Sequence, residues 1–586
     1  MKNIDLNGQW DFIADLDPKY HEDKKIYQVH PYSQPKTVRR HWQKATVPGV
    51  WQKYGERYDI FEGVCWFARE FFVDVDEITF ARLRFGGVNY LCDVYVNGQY
   101  AGSHEGGYTE FTLEATKHIH KGTNHIAVKV DNRATAIKWP PCLGYFNYGG
   151  IHRDVSLEFA GGPCFSDVAL SAVPEKTGYE LNVKASVKNC GCSRKLTMAV
   201  CCNSQSAKVP VLQDGEVEAL LNLQNVQSWH PDNPALYQVS VTLSDKDEVL
   251  DTFSAQYGFK TITAENAAIK LNQRPFRFNG VCYVYDSPVS GLAMTPEQLK
   301  TDIALIKEMG ANAVRCHYPM DKIFYEICDR EGILVWIEPP VYCYHPDDRE
   351  TGTRFSDKEW SGLAKQMICE MIDSAKNHPC AAIYGIGNEC NTKNPEAQEF
   401  FASLASAARA KDPGRLVSYA ALYGIVGPIA DIVDVLGINS YWGWYDKVFG
   451  GKGLAPEGTA KTQIIEREPI DLSAMREMID RVIHEGKKGL ALFLTEFGAD
   501  SVPGFYAAGR DLWSENYHGE LLEEIFGLAD EYPQIIGLFP FCFADYRDPS
   551  KTSNGYWNEL NLKGAVTYSR DKKLAFEAIR KKYLGD

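Results

Sequence analysis

The chain reads as a multidomain protein: an N-terminal, jelly-roll-like β-sandwich over residues 1–165, an immunoglobulin-like β-sandwich over 166–262, and a C-terminal (β/α)8 (TIM) barrel over 263–586. Three textures predict this. The first block alternates apolar and polar side chains in short runs split by turn signals, as half-buried antiparallel strands do. The second repeats that pattern in a block of the size of an immunoglobulin-like domain. In the third, strand-like apolar runs alternate with amphipathic helical patterns, which points to a parallel sheet covered by helices.

In the first block, ARLRFGGVNYLCDVYVNGQY and TNHIAVKVDNRA supply alternating strands, and Asn97-Gly98 is the dipeptide of a tight hairpin turn. DVALSAV, YELNVKASVKN, KLTMAVCC and LYQVSVTLSD are strands of the second. The third holds eight runs: FRFNGVCY, NAVRCH, ILVWIEP, AIYGIGNE, RLVSYA, VLGINSY, LFLTEFG and IIGLFPFCF. PEQLKTDIALIKEMG and DLSAMREMIDRVIHEG are helices between them, and the Gly-rich stretch 450–462 is an insertion after the sixth strand. Eight such alternations are what a barrel needs.

Asp and Glu number 77 against 62 Lys and Arg, a net charge of −15. A negative body repels polyanions, so neither nucleic acid nor an anionic membrane is an expected partner, and an anionic small molecule needs a local cation. Aromatic residues, at 12%, suit sugar faces as well as sandwich cores. The N-terminus lacks a signal-peptide pattern, and the most apolar stretch, Ile535 to Ala544, contains Pro540 and is too short to span a membrane, so a cytoplasmic protein is expected. The 16 cysteines are scattered, many within apolar runs (Cys92, Cys282), as reduced buried thiols are. Cys190, Cys192, Cys201 and Cys202 lie together, but not at a zinc spacing.

Barrel enzymes carry their chemistry at the C-terminal ends of the strands. Those ends are polar here: Arg315 and His317 on strand two, Glu338 on three, Asn388 and Glu389 on four, Asn439 and Tyr441 on six, and Glu496 on seven, with strand eight running to Asp545. Glu389 and Glu496 are the candidates for chemistry. Two carboxyls flanking one bond perform retaining glycoside hydrolysis when one holds a proton and the other is ionised. Glu389 is then the general acid/base and Glu496 the nucleophile, with Asn388 placed to hydrogen-bond the sugar 2-hydroxyl. The competing reading makes both glutamates structural rim residues held in ion pairs.

NYGGIHRDV (147–155), GNE, INSYWGWY (438–445), TEFG and NLKG (561–564) together resemble glycoside hydrolase family 2, most of all its β-glucuronidase branch, over nearly the whole chain. The resemblance implies the same roles for Glu389 and Glu496. It implies that Asn561 and Lys563, spaced N-x-K, bind a uronate carboxylate, that Tyr441 and Tyr445 supply hydroxyls near the nucleophile, and that His317 faces the sugar. It also implies a homo-oligomer acting on a small-molecule β-hexuronide. No metal or organic cofactor is expected, because glutamates supply both proton and nucleophile.

The sequence departs from that pattern in places. Gly144 stands where glucuronidases carry an aspartate, Trp557 where they carry an arginine, and Phe541 where their strand-eight run has a tryptophan. The first barrel strand reads GVCYVYD in place of an Arg-His-Glu run. Losing the aspartate and the arginine removes polar contacts near the sugar 4-hydroxyl, so a β-galacturonide, or both uronides, is an alternative to a glucuronide; Trp557 can stack on the sugar or the aglycone instead. A β-galactosidase or β-mannosidase acting on neutral sugars is a second reading, which Lys563 discriminates. A catalytically dead carbohydrate-binding protein is a third, opposed by the presence of both glutamates.

Overall fold

The computed structural model describes residues 1–15, 42–135, 138–140, 144–191, 195–345, 353–449, 469–507, 511–552 and 558–585. The insertion at 450–462, Cys192 and Trp557 lie outside them. The first domain packs a four-stranded antiparallel sheet on a six-stranded one, and the inward residues of both, among them Trp10, Phe67, Leu83 and Val128, form a single core. The Asn97-Gly98 turn joins Leu91–Val96 to Gln99–Glu105 with both residues at positive φ, 50° and 76°, the twist that a two-residue hairpin requires. The second domain faces a three-stranded sheet with a four-stranded one, the seven-strand arrangement of an immunoglobulin-like sandwich.

The third domain is a closed barrel of eight parallel strands. They are β1 (Phe278–Cys282), β2 (Ala313–Cys316), β3 (Leu334–Ile337), β4 (Ala381–Asn388), β5 (Leu416–Leu422), β6 (Val435–Asn439), β7 (Ala491–Glu496) and β8 (Ile535–Leu538). Nearly every strand residue is buried, as expected when helices cover a parallel sheet on one face and barrel side chains fill the other. The helix after β1, Pro296–Glu308, starts on a capping box in which Thr295 and Gln298 satisfy each other's backbone N–H groups, with Pro296 in the first turn. One expectation needs correction. Regular strand β8 stops at Leu538, not Asp545. Pro540 has no N–H to give a ladder, and beyond it the chain keeps bonds to Cys282 and Phe497 but pairs mainly with segment 563–566, through Cys542, Phe543 and Asp545.

The barrel core extends without a break into the other domains. Trp139 of the first sandwich stacks on Trp360 at 3.7 Å and Tyr108 on Tyr318 at 4.2 Å. Arg153, buried, donates to the carbonyl of Pro319 at 2.7 Å, and Trp229 of the second sandwich donates to the carbonyl of Asp329 at 2.8 Å. The first domain is thereby locked to the barrel rim, and its segment 144–149 reaches the mouth. Among the described residues no helix is long and apolar enough to cross a membrane.

Candidate active site

The barrel mouth is organised around Arg315, which is 0% exposed. Its Nε and Nη2 donate to the two carboxylate oxygens of Glu338 at 2.8 and 3.0 Å. Nη2 also donates to Asn388 Oδ1 at 2.7 Å, and Nη1 to Glu496 Oε1 at 2.9 Å. A buried guanidinium is tolerated only when its donors are matched in this way. Small residues make the room. A Cβ on Gly385 would clash with the Glu338 side chain, and one on Gly437 with Thr495. Strand register slips between Gly385 and Asn388 on the β4–β5 ladder and between Ile438 and Asn439 on the β6–β7 ladder. Such irregularities re-aim side chains, and these two fall where the strands carrying Glu389 and Glu496 end.

Glu496 also takes a hydrogen bond from Tyr441 Oη at 2.8 Å, and its Oε1 lies 2.7 Å from His317 Nε2. Burial alone would raise its pKa. The bond and charge of His317, joined by Arg315, outweigh burial and bring it down to about 2. Glu389 has the opposite surroundings. Its backbone is held at φ 52°, an uncommon conformation for a residue other than glycine, turning its side chain at the strand end. Asn439 Nδ2 donates to its Oε1 at 2.7 Å, and the Cys343 thiol contacts its Oε2 at 3.7 Å. Burial, then the negative charge of Glu496, push the Glu389 carboxyl up to about 8. Asn439 itself is aligned by Thr495, whose hydroxyl donates to its Oδ1 at 2.8 Å.

A cationic pocket adjoins the Glu496 side. Lys563 Nζ bonds Asp500 Oδ2 at 2.7 Å and Tyr445 Oη at 2.9 Å, and lies 5.4 Å above the ring of Tyr441, the residue that donates to Glu496. Asp500 is 0% exposed and is pinned further by Trp444 Nε1 and the Leu562 amide, each at 2.9 Å. Burial opposes the charge of Lys563, but Asp500 and Tyr445 win and its pKa rises. Asn561 sits two residues before Lys563; its Oδ1 accepts the Lys563 amide at 3.3 Å and its Nδ2 lies 3.4 Å from Asp548.

The structure therefore gathers Glu389, Glu496, Asn388, His317, Tyr441, Tyr445, Asn561 and Lys563 at one end of the barrel. His317 Nε2 lies against Glu496, beside the position where the resemblance implies it faces the sugar. Sequence reasoning named Arg315, Glu338 and Asn439 only as polar strand ends and gave them no task. It passed over Asp500 and Cys343, which lie on loops where no periodicity marks them. It also passed over Tyr145, which the first domain inserts 6.0 Å (ring centroids) from His317 and 5.8 Å from Tyr342.

Comparisons with known proteins agree with this three-domain fold. The TIM barrel domain of the glycosyl hydrolases family 2 matches residues 262–585, the sugar binding domain of that family 4–160, and its remaining domain 168–260. A relative from Formosa agariphila is 28% identical over 92% of this chain, which spans 66% of that relative's length. The β-glucuronidase of Paenibacillus borealis is 25% identical over 99% of this chain and 96% of its own. The crystal structure of a β-galacturonidase from Eisenbergiella tayi bound to galacturonate superposes with a TM-score of 0.83 at 25% identity, covering 100% of this chain and 97% of that one. With the barrel pattern alone covering more than half of its residues, the chain belongs to glycosyl hydrolases family 2.

Proposed function

We propose that this chain is a retaining exo-β-hexuronidase that cleaves β-D-glucuronides or β-D-galacturonides by double displacement. The observation that carries the reading is the opposite displacement of two buried carboxyls, Glu389 up to about 8 and Glu496 down to about 2, beside a pocket that holds a buried ammonium. At neutral pH one is an acid with a proton to give and the other an ionised nucleophile. Glu389 gives its proton to the glycosidic oxygen as a Glu496 oxygen attacks the anomeric carbon. The bond to the leaving alcohol breaks and an ester to Glu496 forms. Esterification removes the negative charge that had held the Glu389 proton in place, so the Glu389 carboxylate can then take a proton from water. The hydroxyl so formed attacks the anomeric carbon, the ester breaks, and both side chains return to their starting states. Asn388 Oδ1 is engaged by Arg315 and Asn439, at 2.7 and 2.8 Å, which directs its amide N–H toward a sugar hydroxyl.

The choice of a uronide rests on Lys563 and on relatives named for both uronic acids. Purified protein given 4-nitrophenyl β-D-glucuronide, β-D-galacturonide and β-D-galactoside tests it. The uronides should be hydrolysed faster, and Lys563→Met should lower their kcat/KM by about 10²–10³-fold, the cost of losing one side of a buried charge-assisted contact. A galactoside hydrolysed best, with a ranking that Lys563→Met leaves alone, would sink the assignment.

A further inference from the structure

We propose that Lys551 is a second substrate-binding residue, which holds the hexuronide carboxylate jointly with Lys563 and sets the preference for charged over neutral sugars. The inference rests on the hexuronidase reading above. Lys563 is 1% exposed, and its ammonium is already matched at 2.7 Å by the buried Asp500. An incoming carboxylate meets the charge of Asp500 as well as that of Lys563, so this pair attracts an anion less than an unpaired ammonium would, and a second cation strengthens the hold.

Lys551 lies on the loop after β8. Its Nζ is 3.1 Å from Tyr445 Oη, the oxygen that Lys563 reaches at 2.9 Å, and it lies 5.3 Å above the same ring that Lys563 covers at 4.8 Å. Two nitrogens sharing one oxygen at these distances are within about 6 Å of each other, a span that one carboxylate bridges with an N–H···O bond from each. Both ammoniums also help to hold Asp500 ionised against its burial.

The root of Lys551 is fixed. Its amide donates to the Asp548 carbonyl and its own carbonyl accepts the Glu559 amide, both at 3.0 Å. These bonds flank the short ladder of Tyr546–Arg547 on Leu560–Asn561 that also carries Asn561. The carboxylate of Asp548 is engaged on this ladder by the Ser550 amide at 3.1 Å, the Ser550 hydroxyl at 2.6 Å and Asn561 at 3.4 Å. A long, flexible stem on a fixed root lets the ammonium settle on a ligand without moving the barrel.

The test is the ratio of kcat/KM on the two uronides to that on 4-nitrophenyl β-D-galactoside, in wild type, Lys551→Met, Lys551→Gln, Lys551→Arg and Lys563→Met, with circular dichroism to select folded variants. Both neutral replacements of Lys551 should lower the ratio about 10–100-fold, mostly through KM, because the contact is made equally in ground and transition states. Lys551→Arg should recover most of the loss. A ratio within about twofold of wild type in both neutral variants, with Lys563→Met still destructive, overturns the role of Lys551 and leaves the hexuronidase reading standing. A wild type that prefers the galactoside overturns both.

Discussion

Around Glu496 a single guanidinium serves two carboxylates, whereas around Tyr445 two ammonium groups approach one phenol oxygen. Arg315 is divided between Glu338 and Glu496, and the third carboxyl of that end, Glu389, keeps its proton to about pH 8. At the other end Lys563 faces Asp500 and Lys551 stands close by. These ends present opposite chemistry to a ligand lying between them. The first offers a proton and a buried anion, which suit a departing alcohol and a developing positive charge at the anomeric carbon. The second offers N–H donors, which suit a carboxylate. What separates the ends is how many cations each buried carboxylate has within reach, and that number is set by which strand or loop places a basic residue there.

Removing the anion from the first end gives the largest effect. Glu496→Ala should lower kcat on every substrate by about 10⁵-fold or more, as expected for loss of a nucleophile. Azide should restore turnover and yield the glycosyl azide of opposite anomeric configuration, identified by NMR of the product. Rescue of a Glu389 variant with that inverted product, and not of the Glu496 one, would exchange the two roles.

Arg315 offers a sharper test, because it is a positioning residue that acts through Glu496. Arg315→Met leaves Glu338 and Glu496 buried without their shared cation, a loss of about 10²–10³-fold in kcat/KM. A merely structural role would lower activity at all pH values alike. A positioning role requires the acidic limb of the pH profile to move upward, since only His317 and Tyr441 then remain to offset the burial of Glu496. An unmoved acidic limb in a folded variant would break the contrast between the two ends.

Much of this arrangement can be read from the residues alone. Alternation marks the sandwich strands, and in the barrel several apolar runs close on polar residues, so Glu389, Glu496, Asn439 and Arg315 stand out against the apolar residues around them. Their partnerships are less visible. That Arg315 joins Glu338, Asn388 and Glu496 depends on the packing of four strands far apart in sequence, and on Gly385 leaving space for Glu338. Asp500 and Lys551 lie on loops, where a charged residue is the ordinary case and nothing in the pattern singles it out. Tyr145 belongs to another domain, and only the docking of that domain brings it to His317. The early end of β8 was the most legible of the missed features, since Pro540 marks it.

Glu389 governs the alkaline side. With its carboxyl at about 8, kcat/KM on a uronide should fall about tenfold per pH unit above that value, as the acid loses its proton. Glu389→Gln should abolish this limb, and its loss of rate should be smallest for leaving groups such as 4-nitrophenol, which need little protonation. An alkaline limb that persists in Glu389→Gln assigns it to another group.

The smallest effect is on stability, and here the two glutamates should differ in sign. Glu389 is raised from 4.5 to about 8, so the folded state binds its proton more tightly than the unfolded chain does. The stability it contributes is fully present below about pH 4.5 and is lost as pH rises toward 8. Glu496 is lowered from 4.5 to about 2, so its contribution is present above 4.5 and is lost as pH falls toward 2. Glu389→Gln cannot ionise, and its carbonyl oxygen still accepts from Asn439. Its melting temperature should therefore pull ahead of wild type as pH rises from 4.5 to 8, by an amount on the order of a few °C. Glu496→Gln should fall behind wild type at neutral pH and draw level as pH falls toward 2, because it strands the guanidinium of Arg315 and His317 without their anion. Melting curves of the three proteins across that range would show the carboxyl at one strand end retained for chemistry at a cost to the fold, and the carboxyl at the other serving both; parallel curves would mean that neither glutamate is perturbed in the way their surroundings require.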